Sequence, residues 1–287
     1  MKTEKKRVGT KAEIRAIKNR ERRIATAIFL VFTLLIVIFS SYFTYNFLDQ
    51  PQNQTTNPAS SQLKAAIVDQ LSLTFPNQTF IETATNTLKQ AGYTVDYYPG
   101  EQVTVEFYRN LPTSVYRIII LRVHSTATVV AQGAQRPVSL FTSEPYSMTK
   151  YVYEQLTEQI AKVAYNFPDP PYYFAVAPAF VVSAMKDRFH DAIIIMMGCE
   201  GLDNPSMAKA FVEKGAKTYI SWNGSVLASY TDQAVTHLLQ QLFTKKETLE
   251  EAVDNTMSEL GPDPEYKSQL LYYPLEVGDQ TIENIKR

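Results

Sequence analysis

Between Ile24 and Leu48 the sequence IATAIFLVFTLLIVIFSSYFTYNFL runs for 25 residues without a charge, and this decides how the rest of the chain can be arranged. A helix needs roughly 20 apolar residues to cross a hydrocarbon core of about 30 Å. A cleavable signal peptide has an apolar core of only about 7–15 residues, followed by a small-residue cleavage site. The stretch here is longer, and Tyr42, Phe43, Tyr45 and Phe47 read as an interfacial aromatic belt. An uncleaved anchor is therefore expected; the alternative is a signal peptide with an unusually long core.

The flanks set the orientation. Residues 1–23 hold ten Lys/Arg against Glu4, Glu13 and Glu21, a net +7, so a chain at −1 leaves −8 for residues 24–287. Basic flanks stay on the cytoplasmic side. The expected order is a cytoplasmic basic tail over 1–23, a transmembrane anchor over 24–48, a polar stalk over 49–62 and an extracytoplasmic domain over 63–287. The chain would thus sit in the cell membrane as a single-pass protein, with the lipid bilayer as its partner through residues 24–48. A basic tail can also bind nucleic acid, but beside a membrane span it is better explained by orientation and attraction to anionic lipid. No nucleic-acid partner is expected.

From Leu63 onward strand and helix signals alternate. Lys64–Asp69 (KAAIVD) reads as a strand. Thr79 and Glu82 have capping-box spacing before a helix with Ile81, Ala84, Leu88 and Ala91 on one face. Gly92 closes that helix, and a strand over 93–97 follows. Strand–helix–strand order implies a parallel pair. The two most apolar runs, RIIILRVH over 117–124 and DAIIIMMGC over 191–199, have the continuous character of strands buried on both faces. They are expected side by side in the centre of the sheet. Asn204 and Pro205 open a further helix, residues 217–222 form a strand, and two amphipathic helices over 231–243 and from Leu249 close the domain. Residues 146–165 are expected to be helical, and 172–185 to be a strand or hairpin outside the main order.

The chemistry-bearing residues fall at strand ends. In open α/β sheets, ligands bind beyond the carboxyl ends of the strands. His124 ends one Ile run and Cys199 ends the other, so neighbouring strands would aim an imidazole and a thiol at one crevice. A His beside a Cys generates a thiolate–imidazolium pair with a nucleophilic sulfur. The bland alternative for each is a small buried thiol and a satisfied polar ring. His190 lies at the amino end of its strand, and His237 falls between the apolar positions of its helix, where it is expected to be solvated. Cys199 is the only cysteine, which excludes an internal disulfide and a cysteine metal cluster. No H-E-x-x-H, G-x-S-x-G or P-loop is present, so zinc peptidase, serine hydrolase and nucleotidase readings lack their motifs. Asn53, Asn77 and Asn223 begin N-x-S/T triplets.

The stretch AIIIMMGCEGLDNPSMAKAFVEKGAKTYISW resembles the cysteine block of caspase-like (clan CD) cysteine peptidases, closest to the CHAT and gingipain-type branches. There an apolar strand ends in Cys-Glu-x-Gly or a near variant, followed by a helix, Gly-Ala and a strand ending in Trp. YRIIILRVHS resembles the histidine block, and TDQAVTHLLQQLF and TLEEAVDNT resemble the closing helices. The likeness spans about residues 115–260. It implies a caspase-like, doubly wound, mostly parallel sheet flanked by helices. It also implies Cys199 as nucleophile, His124 as general base and acid, and an oxyanion site from the backbone amides of Cys199 and Ser125. A substrate pocket would lie near Ser221, Trp222 and Asn223, with Asp203 or Asp232 supplying a carboxylate; the alternative for these two is a solvated helix-cap role. The chain departs from the family in two places: the usual His-Gly is His124-Ser125, and the acidic residue two before the metacaspase cysteine is Met197.

The expected function is a membrane-anchored extracytoplasmic cysteine peptidase acting on a peptide or protein substrate, without a cofactor. The alternatives are a catalytically inactive caspase-like surface module for binding or scaffolding, and a periplasmic-type ligand-binding domain with no dependence on Cys199. Protease added to intact cells should degrade the domain over 63–287 and spare residues 1–23. A protected domain with a digested tail would overturn the orientation.

Overall fold

The computed structural model describes residues 33–35, 63–127, 137–165 and 168–285. The chain divides into two units, Met1–Ala59 and Ser60–Arg287. In the first, residues 33–35 are helical; the remainder of the expected tail, anchor and stalk lies outside the described residues. Among the described residues no helix is long and apolar enough to cross a membrane.

The second unit is built on a six-stranded sheet. Its strands are β1 (Lys64–Asp69), β2 (Thr94–Pro99), β3 (Ile118–Arg122), β8 (Ala192–Met196), β9 (Ala216–Trp222) and β10 (Leu270–Tyr273), in the order β10-β9-β8-β3-β1-β2. Every pairing is parallel except β10 with β9. The two isoleucine runs are neighbours in register, Ile118 opposite Ile193 and Ile120 opposite Ile195. Alternation explains why both are wholly apolar. Ile118, Ile120, Ile193 and Ile195 enter one core, and Ile119, Leu121, Ile194 and Met196 enter the other.

Helices cover both faces. On the first lie α1 (Gln78–Gln90), α6 (Ala228–Leu239) and α7 (Leu249–Leu260). On the second lie α2 (Val105–Asn110), α4 (Pro178–Ser183) and α5 (Ser206–Glu213). The chain winds from β1 to β2 in one direction, then returns past β1 to lay down β3, β8 and β9 in the other. The reversal falls between β1 and β3, where a crevice opens at the carboxyl ends of an open parallel sheet.

A second, antiparallel sheet is inserted between β3 and β8. It contains β4 (Ser125–Ala127), β5 (Val138–Pro145), β6 (Ile160–Ala164) and β7 (Tyr172–Val176), ordered β4-β5-β7-β6. Here the sequence reading needs correction. Residues 146–165 are not one helix: only α3 (Val152–Leu156) is helical, and β6 follows it. Residues 172–185 divide into β7 and α4. The cap of α1 is Asn77, whose side chain accepts from the Phe80 amide, and not Thr79. A capping box does occur at α7, where Thr248 and Glu251 each satisfy the other's amide. His237 is not simply solvated; it bridges α6 to α7 through Thr256 and Glu259, at 3.2 and 2.7 Å.

Ile120 has no exposed surface and sits at the centre of the sheet. Ile120→Ala should lower the unfolding free energy by about 2–5 kcal/mol, the usual cost of truncating a packed aliphatic side chain. Denaturant unfolding followed by fluorescence of Trp222, the only tryptophan, measures this. A change below about 1 kcal/mol would mean that this centre is loosely packed.

Candidate active site

A cleft of about 590 Å³ lies over the carboxyl ends of the strands. Five segments line it: 71–77 after β1, 122–124 at the end of β3, 197–199 after β8, 226–232 after β9, and Tyr266 before β10. The fold thus brings His124 and Cys199 to one cavity. Ser125 adjoins it: its Oγ donates to the Cys199 carbonyl at 2.5 Å, joining the two strand ends directly. Gly198 permits this, because a Cβ there would collide with Ser125 Oγ and with the Val123 carbonyl.

The imidazole and the thiol are held separately. Nε2 of His124 lies 2.9 Å from Thr74 Oγ1. Phe75, Phe141 and Tyr165 enclose the ring, with centroids at 5.9, 5.8 and 4.9 Å. Its amide donates to Gln70 Oε1 at 3.0 Å, and Gln70 in turn donates to Tyr165 Oη at 2.7 Å. Cys199 Sγ accepts from the Val226 amide at 3.5 Å and donates to the Val226 carbonyl at 3.7 Å. No hydrogen bond joins His124 to Cys199 among the described residues.

Electrostatics keep both groups neutral. Burial lowers the His124 imidazole to about 4, and the nearby Arg122 charge adds to the effect. Burial raises the Cys199 thiol, against the Val226 amide and with help from Glu200. The thiolate–imidazolium pair expected from the sequence is therefore not the resting state: desolvation disfavours each ion.

The backbone around the thiol is arranged tightly. Glu200 has φ of 62°, a left-handed conformation that costs a non-glycine residue on the order of 1–3 kcal/mol. Its amide bonds to the Gly224 carbonyl at 2.8 Å, and its carboxylate accepts from the Ala127 amide at 3.0 Å. The Cys199 amide donates to no group among the described residues. Phe141 donates to the His124 carbonyl, so Ser125 and Leu140 form the non-hydrogen-bonded pair of the β4–β5 ladder. Both amides of the expected oxyanion site are thus left out of the ladders around them.

The other sequence candidates separate. Trp222 is fully buried and donates to Thr231 Oγ1 at 2.9 Å, and Ser221 is buried with its hydroxyl on the Met196 carbonyl at 2.8 Å. Asn223 is exposed and pairs with the Gln269 backbone, and Asp203 is also exposed. None of these four lines the cleft. Asp232 does, and it is buried, not solvated.

Its partner is the residue that sequence reasoning missed. Arg122 has no exposed side-chain surface. Its Nε and Nη2 grip Asp232 at 2.7 and 2.8 Å, Nη1 bonds Asp69 at 2.7 Å, and Nη2 also bonds the Phe75 carbonyl at 2.7 Å. Burial works against the guanidinium charge, but Asp232 and then Asp69 outweigh it and hold Arg122 above its ordinary value. The signal was present: a charge inside an otherwise apolar strand must find a buried partner. Asp263 also went unnoticed. Fully buried, it accepts from the Leu227 amide at 2.9 Å and from the Tyr266 amide at 2.7 Å, fixing the thiol-side wall.

Among known proteins, no family model matches the chain and no curated sequence matches it.

The imidazole gives a pH signature. An unfolded chain protonates His124 near pH 6.5, whereas the folded one resists down to about pH 4. Between those values the unfolded state binds more protons, so stability should fall as pH drops through the window, by about 3 kcal/mol in all. His124→Gln should flatten that slope in urea unfolding at pH 7 and pH 4.5. An unchanged slope would mean that another group carries it.

Proposed function

We propose that the chain is a membrane-anchored, extracytoplasmic, caspase-like cysteine peptidase, with residues 1–23 in the cytoplasm and residues 24–48 in the bilayer. The observation that carries this reading is the convergence of His124 and Cys199 on one cleft at the carboxyl ends of adjacent parallel strands. The strand order and the antiparallel last strand are compatible with the expected caspase-like winding. The Cys199 and Ser125 amides add support, since neither is committed to a neighbouring strand.

The chemistry follows from the neutral pair. As Sγ attacks the scissile carbonyl carbon, its proton passes to the imidazole, and a sulfur–carbon bond forms. The carbonyl oxygen takes the negative charge, which the Cys199 and Ser125 amides stabilise. Collapse breaks the carbon–nitrogen bond, and the imidazolium returns its proton to the departing amine. Water then attacks the thioester with His124 as base, releasing the carboxylic acid and restoring the thiol. Before the first step, the imidazole must leave Thr74 Oγ1 and the thiol must leave the Val226 carbonyl.

That separation favours a second reading, an inactive surface module of the same fold that binds without catalysis. One experiment divides the two. The full chain in detergent is incubated with a peptide library, and cleavage sites are read by mass spectrometry. Cys199→Ala should abolish cleavage, and His124→Ala should lower it by about 10²–10⁴-fold, the usual contribution of a general base. A library left intact by the wild type, or cut equally by Cys199→Ala, would remove the peptidase reading.

A further inference from the structure

We propose that Arg122 fills the charged end of the cleft from within, so that the site takes a peptide with an uncharged, apolar side chain next to the bond attacked by Cys199. This rests on the peptidase reading, and it names the substrate class for the same site.

The geometry begins with alternation along β3. Ile118 and Ile120 face the core that Cys199 packs against, and Arg122 is the next residue on that face. Arg122 and Asp232 line the same cleft as His124 and Cys199. A substrate side chain beside the scissile carbonyl therefore has the Arg122–Asp232 pair within the cavity it enters.

That pair leaves little for a charged guest. Both Asp232 oxygens are taken by Arg122, and one also accepts from Asn77 Nδ2 at 2.8 Å. Four hydrogen bonds from the guanidinium go to Asp69, Asp232 and the Phe75 carbonyl. It has only five N–H donors. Arg122 itself is sealed off, so a cationic side chain would find only Asp232, whose oxygens already accept three hydrogen bonds, and an anionic one would find at most one free guanidinium donor. Neither recovers the cost of desolvating its charge. An apolar side chain carries no such cost, and Leu71, Phe75, Pro76, Met197, Leu227 and Ala228 offer it apolar wall.

The test uses three tripeptidyl acyloxymethyl ketones that differ only in the residue beside the ketone: leucine, arginine or aspartate. Each alkylates a thiol with loss of a carboxylate. Labelling of the full chain in detergent is timed by intact-mass spectrometry, with iodoacetamide as the reagent that needs no recognition. The leucyl reagent should label Cys199 at least about tenfold faster than either charged one, within the range that pocket contacts discriminate, and Cys199→Ala should stay unlabelled. Faster or equal labelling by the arginyl or aspartyl reagent, still dependent on Cys199, would overturn the inference and leave the peptidase reading standing. If iodoacetamide labels Cys199 but no peptidyl reagent does, the peptidase reading fails and takes the inference with it. In Arg122→Ala, checked for folding by circular dichroism, Asp69 and Asp232 lose their cation. The arginyl reagent should then gain at least about tenfold relative to the leucyl one. A folded variant without that gain would overturn the role given to Arg122.

Discussion

The guanidinium of Arg122, clasped by Asp69 and Asp232 with no exposed side-chain surface, is the interaction on which the site depends. It joins the carboxyl ends of β1 and β3 to α6, and through the Phe75 carbonyl it fixes the segment that carries Thr74 and Asn77. A buried ion cluster of this kind is not primarily a source of stability. The cost of desolvating three charges offsets much of their attraction, while removing one member strands the others and costs about 3–5 kcal/mol. What the cluster supplies is geometry: the walls of the cleft cannot drift apart without exposing an unpaired charge. Asp69 shows the tension, since burial raises its carboxyl despite the adjacent guanidinium.

The thiol and the imidazole are organised on the opposite principle. Each has a local partner, Val226 for Cys199 and Thr74 for His124, and neither is ionised at neutral pH. The causes are shared: the cleft that excludes water disfavours both ions, and Arg122 adds repulsion to the imidazolium. In the proposed mechanism, proton transfer from sulfur to nitrogen is therefore uphill until an incoming carbonyl begins to take the sulfur electron pair. A neutral, half-buried thiol of this kind resists adventitious alkylation, because the thiolate is the reactive form.

Much of this was legible in the sequence, for a definite reason. The isoleucine runs announce strands buried on both faces, and a crossover helix announces a parallel neighbour, so the central β3–β8 pairing and the convergence of His124 with Cys199 followed from pattern alone. The second sheet was not legible. Its strands β5 and β7 take their partners from each other across distant sequence, and short alternating segments such as Ile160–Ala164 carry no period distinct from a helix turn. The expected substrate residues failed differently. Ser221 and Trp222 belong to a strand that does reach the site, but Trp222 enters the first core, Ser221 turns its hydroxyl onto the Met196 carbonyl, and the lining comes from the residues that follow, Val226 to Asp232. Parity along a strand end cannot be read without its neighbours.

The departure at Ser125 bears most directly on whether the site is competent. In the family this chain resembles, glycine follows the histidine, and a side chain there threatens the approach of the oxyanion amide. Here the added atoms have a place. The hydroxyl turns onto the Cys199 carbonyl, and the volume it needs is supplied by the missing Cβ of Gly198. The hydroxyl bonds a carbonyl and leaves the Ser125 amide untouched, while the non-hydrogen-bonded register with Leu140 keeps that amide out of the β4–β5 ladder. Serine at 125 and glycine at 198 thus act as a complementary pair across β3 and β8. The serine hydroxyl locks the two strand ends together, and the amide that the proposed mechanism requires is not consumed in doing so.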